Sequence, residues 1–286
     1  MENLSVNTSL PSEWKNVLLL GTDERLLTEN SRTDAIIICS VNIETGQVKL
    51  TSVLRDLAVE YTDLGEYSGT YRINAANLFG GPEMVMKVLN ECFSLNIETY
   101  VTVNFYGFQE LAERLGGIDI DISDAEMNQI NANVIEQWKA ARKAGVDEST
   151  LPDPVELTTY GPNTHLDGRQ TLAYARIRKI DSDISRAERQ RVVLEALAGK
   201  LKEKGNDVVK LTTLAATMMP YVRTNMSIEY ILSIATSVLS KDFTVDKMSL
   251  PVTGTYSAET RDGESMLYDC DWEANTAELH SFIYGK

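Results

Sequence analysis

Three short β-rich runs near the N-terminus constrain this chain more than any other feature. Residues 16–20 read NVLLL and stop at Gly21, and residues 35–41 read AIIICSV. A third run, 47–53, follows the turn-forming stretch NIETG at 42–46. Apolar, β-branched runs bounded by turn residues read as buried strands. The Asn/Gly link between the second and third runs predicts a hairpin.

Helical patterns interleave with strands from there on. Residues 82–93, PEMVMKVLNECF, predict a helix with Pro in its first turn. Residues 100–105 alternate like a strand, and 106–115 form a helix stopped by Gly116-Gly117. IDIDI at 118–122 alternates strictly, with one apolar and one acidic face. From 123 to 161 the pattern weakens, and 129–145 reads as a helix on a surface insertion spanning 124–162. Helices follow at 167–175, 186–204, 208–219 and 228–239, and Val192, Val193, Leu194, Leu197 and Leu201 give the second of these its apolar stripe. The remainder, 243–286, holds short strands and a final helix at 272–284. There is no repeat and no Pro/Gly/Ser linker, so one α/β domain is the simplest architecture.

Composition narrows the function classes. The formal net charge of −15 argues against binding nucleic acid or an anionic membrane surface through bulk charge. No run of about 18 apolar residues offers a membrane span. The opening MENLSVNTSLPSEWKN lacks the charged and apolar regions of a signal peptide. Either a cytosolic protein or the soluble part of an anchored parent fits. Three cysteines without a CxxC spacing do not read as a zinc site or a disulfide framework. Cys39 reads as a small core residue, and a Cys92–Cys270 bridge stays open. His165 and His280 each lack a supporting catalytic or metal-binding motif.

Against that acidic background, RIRKIDSDISRAERQR at 176–191 carries six basic residues and three acidic ones. Arg176 and Arg178 alternate, as on one face of a strand, where two guanidiniums repel unless an anion or carboxylates lie between them. On the next helix Arg186, Arg189 and Gln190 share a face, with Ser185 as N-cap. A positive helix end would add to an anion site. The other polar clusters fall at strand ends: GTDER (21–25), SRTDA (31–35), LRD (54–56) and YRINAAN (71–77). Asp23 and Asp34 at one sheet rim present oxygen ligands suited to Mg²⁺ or Mn²⁺ rather than zinc. Arg25, Arg32, Arg55 and Arg72 lie near element ends, and arginine forks match phosphate oxygens. Surface turns with solvated charges account for the same residues.

In order and spacing, NVLLLGTDER, SRTDAIIICSVN, LTSVLRDLAV, RINAANLFGGPEMVMKVLNE, VTVNFYGFQELAERLGGIDIDI and THLDGRQTLAYARIRKIDSDISRAERQ resemble the LytR-CpsA-Psr family of bacterial cell-wall enzymes. The resemblance covers about residues 16–204. It implies a three-layer α/β/α sandwich with a central mixed β-sheet, a single catalytic domain over 16–286, and a hydrophobic pocket for a prenyl chain. Residues 1–15 would be the linker after a membrane anchor that this chain lacks. The implied activity is transfer of a phosphoglycosyl polymer, such as teichoic acid or capsule, from a polyprenyl pyrophosphate carrier to peptidoglycan at the extracellular face of the membrane. By the same resemblance Asp23 and Asp34 would be Mg²⁺ ligands. Arg32, Asp34, Arg55, Arg176 and Arg178 would act in catalysis, the four arginines holding the pyrophosphate. Asp34 or Asp56 could be the base, although a metal-bound carboxylate is a poor one. Arg72, Asp183, Arg186 and Gln190 would complete its binding. LRD stands where PRD is common, and 124–162 matches no motif. A polyprenyl pyrophosphate hydrolase and a non-catalytic anionic-lipid binding module use the same residues. A transcription regulator fits less well, given the charge and the lack of a helix-turn-helix signature.

Overall fold

A computed structural model describes residues 4–22, 30–62, 64–65, 68–143, 153–178, 180, 183–203, 205 and 207–285, excepting the Asp183 side chain. The chain forms two compact units, residues 1–105 with 206–286, and residues 106–205.

The three β-rich runs become β1 (Trp14–Thr22), β2 (Thr33–Asn42) and β3 (Val48–Val53) at the centre of the first unit. β2 pairs antiparallel with both neighbours, so the expected hairpin forms. Its turn is held by Asn42, whose Oδ1 accepts from the Glu44 and Thr45 amides at 3.0 and 2.9 Å. β6 (Thr99–Asn104) joins β1 in parallel, β9 (Val222–Thr224) joins β6 antiparallel, and β10 (Val245–Leu250) joins β3 in parallel. The sheet is mixed, in the order β10-β3-β2-β1-β6-β9. Between β3 and β6 lie a small hairpin, β4 (Ala58–Tyr61) with β5 (Gly69–Arg72), and helix α1 (Ala76–Phe93). α1 is interrupted at Gly80-Gly81, and Pro82 opens its second part, as the sequence predicts.

One sheet face presents Leu18, Leu20, Ile36 and Ile38 to Val85, Met86, Leu89 and Phe93 of α1, and to Leu279 and Ile283 of α8 (Trp272–Tyr284). All are under 2 % exposed, and each such side chain contributes about 1.5–3 kcal/mol on burial. α7 (Ile228–Leu239), which packs on α6 (Val208–Met218), also packs on β2, and neither helix contributes to that core. The sheet is thus layered between helices. A second hairpin, β11 (Ser257–Arg261) with β12 (Glu264–Tyr268), precedes α8. Cys39, Cys92 and Cys270 are free thiols, and burial pushes those of Cys39 and Cys92 up to about 12.

The second unit holds α2 (Phe105–Leu115, its first residue belonging to the first unit), β7 (Ile118–Ile122), α3 (Asp124–Lys143), β8 (Gly161–Leu166), α4 (Gly168–Ala175) and α5 (Asp183–Glu203). Gly117 shows why a glycine ends α2. Its φ is +72°, and a Cβ there would stand 2.3 Å from the Leu166 carbonyl of the paired strand β8. α3 begins five residues before the predicted helix, because Ser123 and Glu126 form a capping box. The Glu126 amide donates to Ser123 Oγ at 3.3 Å, and the Ser123 amide to Glu126 Oε2 at 2.9 Å. The helix is not only a surface feature. It buries Ile130 and Val134 completely and packs on α4. Asp167 caps α4 through a second capping box, with Gln170.

Candidate functional site

At one rim of the mixed sheet the first unit assembles four charged side chains. β2 carries an extra residue there: Gly21 faces Ala35 and Thr22 faces Thr33, leaving Asp34 in a bulge. A bulge re-aims the side chain it carries. Asp34 Oδ1 accepts from Arg55 Nη1 at 3.0 Å. Arg55 Nε lies 3.5 Å from Asp56 Oδ2, and Arg72 Nε lies 3.2 Å from Asp56 Oδ1. The result is an alternating array, Asp34–Arg55–Asp56–Arg72. Its side chains are 23–30 % exposed, so a ligand can reach them.

The backbone beneath this array is pinned from three directions. Leu54 N donates to Leu250 O at 2.8 Å, Ile73 N to Leu57 O at 2.7 Å, and Leu267 N to Asp56 O at 2.9 Å. These bonds come from β10, from the turn before α1 and from β12. Arg72 is engaged beyond the array as well. Beyond Asp56 it donates to the Ser265 carbonyl at 3.0 and 3.3 Å and lies 3.4 Å from Glu264 Oε2, tying the β11–β12 hairpin to the rim.

Arg32 is exposed at the entry to β2. Sequence reasoning missed the residues that hold the chain just before it. Asn77 of α1 donates to the Ser31 carbonyl at 2.7 Å, and Arg223 of β9 donates to Asn30 Oδ1 at 3.0 Å. Only the small-residue helix start of YRINAAN pointed toward Asn77, and nothing local pointed to Arg223. Asp23 and Arg25 lie outside the described residues.

The residues present suit a hydrated divalent cation. Among the described residues no three His, Cys, Asp or Glu side chains form a metal cluster. Asp34 offers oxygen chemistry at the rim. Thr22 and Thr33, paired in register beside it, bury hydroxyls with no hydrogen-bond partner among the described residues. Metal-bound waters would supply such partners, and oxygen donors with retained water match Mg²⁺.

In the second unit the predicted strand through Arg176 and Arg178 is not a strand. α4 runs to Ala175, and Arg176 is its C-cap, with φ −99° and ψ 2°. The capping box at Asp167 starts a helix that TLAYA continues readily. The alternation survives in another form: Arg176 and Arg178 are exposed, and Ile177 between them is fully buried. α5 opens at Asp183, so Ser185 lies inside the helix rather than capping it. Arg186 and Arg189 are buried and Gln190 is half-buried. Arg189 Nε pairs with Glu126 Oε1 at 3.0 Å. Burial raises the Glu126 pKa, but bonds from the Ser123 amide and from Arg189 outweigh it and hold the carboxyl below its ordinary range. The histidines are engaged elsewhere, His165 Nδ1 with Asp119 Oδ1 at 2.8 Å and His280 Nε2 with the Phe93 carbonyl at 2.9 Å.

A mixed sheet layered by helices, with arginines and carboxylates alternating at its rim, defines an α/β domain with a charged site at the sheet edge. The model of the LytR_cpsA_psr family matches residues 2–277, and the chain belongs to that family. The chain is 28 % identical over 245 residues to the Bacillus subtilis polyisoprenyl-teichoic acid–peptidoglycan teichoic acid transferase TagV, covering 84 % of this chain. It spans 56 % of that relative's length. It is 27 % identical over 274 residues to the Staphylococcus aureus regulatory protein MsrR, covering 94 % of this chain and 74 % of MsrR. Among solved structures, TagT bound to LI-WTA superposes with a TM-score of 0.70 at 23 % identity, over 96 % of this chain and 90 % of that one. YwtF (TagT) with bound octaprenyl pyrophosphate lipid gives 0.66 at 21 %, over 95 % and 91 %. Likenesses at this identity establish the fold.

Proposed function

We propose that this chain is a phosphotransferase that moves a phosphoglycosyl polymer from a polyprenyl pyrophosphate carrier to a sugar hydroxyl of peptidoglycan. The observation that carries this reading is the Asp34–Arg55–Asp56–Arg72 array at the sheet rim. Relatives named as teichoic acid transferases, and a family structure holding a prenyl pyrophosphate, support it. Teichoic acid is the substrate class those names favour, with capsular polymers as the neighbouring chemistry. The acceptor lies in the wall, so the reading puts the chain at the extracellular face of the membrane.

The acceptor oxygen forms a new P–O bond to the phosphate that carries the polymer. The phosphoanhydride bond breaks, polyprenyl phosphate leaves with the electron pair, and the hydroxyl proton passes to a base. Charge builds on the leaving phosphate, and fixed cations placed in advance lower that barrier most. Arg55 is such a cation, its direction set by Asp34 and Asp56. The family resemblance gives Arg32, Arg176 and Arg178 the same ligand. Asp56 is a poor base, since both its oxygens face arginines. Mg²⁺ or Mn²⁺, held by Asp34 together with Asp23, would neutralise phosphate charge.

The test is incubation with a short-chain prenyl pyrophosphate-linked glycan, with and without Mg²⁺ and peptidoglycan fragments, read by mass spectrometry. A phosphosugar–glycan adduct lost in Asp34→Ala and Arg55→Ala supports the transferase. Prenyl phosphate released at an equal rate with and without acceptor, and no adduct, makes the chain a pyrophosphate hydrolase. Lipid bound but left intact makes it a binding module.

A further inference from the structure

The turn that presents Arg176 and Arg178 is gripped from below by two helices. The Ala173 carbonyl at the end of α4 accepts from Arg176 N at 3.3 Å and from Asn133 Nδ2 of α3 at 3.0 Å. Ile177 N donates to the Tyr174 carbonyl at 3.2 Å, and the Ile177 carbonyl accepts from Arg189 Nη1 of α5 at 3.5 Å. The Ile177 side chain is fully buried, so the residue between the two arginines is fixed at both its backbone and its side chain. Arg189 itself is 6 % exposed and lies 5.9 Å from the Tyr174 ring centre.

What orients Arg189 is Glu126. Its Oε1 accepts from Arg189 Nε, and its Oε2 accepts from both the amide and the hydroxyl of Ser123 at 2.9 Å. The carboxylate that caps α3 therefore aims the guanidinium that holds the Ile177 carbonyl. A charge-assisted hydrogen bond between partly buried groups transmits position, because each group is held along the direction of that bond.

We propose that Glu126 and Arg189 are positioning residues for the Arg176–Arg178 pair, and that α3 serves as its brace. This rests on the reading of that pair as pyrophosphate-binding. Neither Glu126 nor α3 belongs to the motifs that carry the family resemblance. A phosphate held by two guanidiniums demands a fixed separation and direction, since each fork bonds in its own plane. The brace supplies this without touching the ligand.

The experiment measures farnesyl pyrophosphate affinity calorimetrically on the whole chain. The variants are Glu126→Gln, Arg189→Lys, Arg176→Ala, Arg178→Ala and the double variant Glu126→Gln/Arg176→Ala. Asn131→Ala is the control: it sits on the same helix, and its side chain instead brackets Leu157. Glu126→Gln is expected to weaken binding on the order of tenfold, with a melting temperature no lower than that of the control. Arg189→Lys is expected to weaken it as well, since one ammonium does not reproduce the fork. In the Arg176→Ala background Glu126→Gln is expected to add little, the mark of action through that arginine. Unchanged affinity in Glu126→Gln, or a fully additive loss in the double variant, overturns the brace and leaves the pyrophosphate reading standing if Arg176→Ala weakens binding. Unchanged affinity in both Arg176→Ala and Arg178→Ala removes that reading for the pair, and the brace with it. If Glu126→Gln does not fold, Asn133→Ala removes the second donor to the Ala173 carbonyl, together with the bond that Asn133 Oδ1 accepts from Gln129 on the same helix. It is then expected to weaken binding in the same direction, and full affinity in that variant overturns the brace.

Discussion

Arg55 reaches Asp34 across the sheet rim, Nη1 to Oδ1 at 3.0 Å, from the turn after β3 to the bulge that opens β2. Their side chains are 23 and 30 % exposed. A pair this exposed contributes about 0–1 kcal/mol to stability, yet it sets the direction of a guanidinium at the rim. Its value is therefore better sought in function than in folding.

Arg55→Lys and Arg55→Ala are expected to leave the thermal midpoint within a few degrees of the parent. Transfer to peptidoglycan fragments is expected to fall by roughly a hundredfold or more, the scale for losing one preorganised charge donor. Melting curves and adduct yield by mass spectrometry check this together. Near-full transfer in Arg55→Ala would remove Arg55 from the chemistry.

Arg72 leads to the opposite expectation. It connects Asp56, Glu264 and the Ser265 carbonyl, so Arg72→Met should loosen the β11–β12 hairpin. Hydrogen exchange at the Leu267 amide, which donates to Asp56 O, should quicken. Global stability should drop by about 1–2 kcal/mol. If exchange there is unchanged while lipid binding is lost, Arg72 acts on the ligand and not on the hairpin.

The contrast between these two arginines marks the limit of what was legible in the chain. The central strands, their hairpin, the Pro82 helix start and the final helix follow from local apolar runs and turn residues, and each stands where its pattern puts it. Asp34 and Arg55 were legible because both fall at strand ends, which a sheet gathers at one rim. The Ser265 carbonyl that Arg72 holds lies 193 residues further along, and no local pattern encodes that contact. Arg176 and Arg178 read as a strand because five or six residues of alternation look the same in a strand and at a helix end. The capping box at Ser123 was written in the local sequence, but a helix with a weak apolar stripe drew the reading away from it.

Asn90 offers a test of the first unit's core apart from the rim. It is 2 % exposed. Its Nδ2 donates to the Leu4 and Ile97 carbonyls at 2.8 and 3.0 Å, and its Oδ1 accepts from Ile97 N at 2.8 Å. These bonds close the passage from α1 into β6. Asn90→Leu strands those groups and is expected to cost about 2–4 kcal/mol, read as a lower urea midpoint. A change below about 0.5 kcal/mol, the scale of an ordinary surface substitution, would mean that water replaces the amide.

Glu126 predicts a pH dependence whose sign is fixed by its surroundings. Its carboxyl is held below its ordinary value of 4.5, so the unfolded chain binds this proton more readily than the folded one. Stability from this group is complete above the unfolded value and is lost as pH falls through the folded one. Glu126→Gln has no such proton. Its stability should fall less steeply below about pH 4.5, by at most one proton, or about 1.4 kcal/mol per pH unit. At pH 7 it should be the less stable of the two, since the charged contact between Glu126 and Arg189 is lost. Urea midpoints of both proteins from pH 3 to 7 give the comparison. Parallel curves across that range would show that Glu126 keeps the same proton affinity folded and unfolded, and that its contact with Arg189 does not select the charged form.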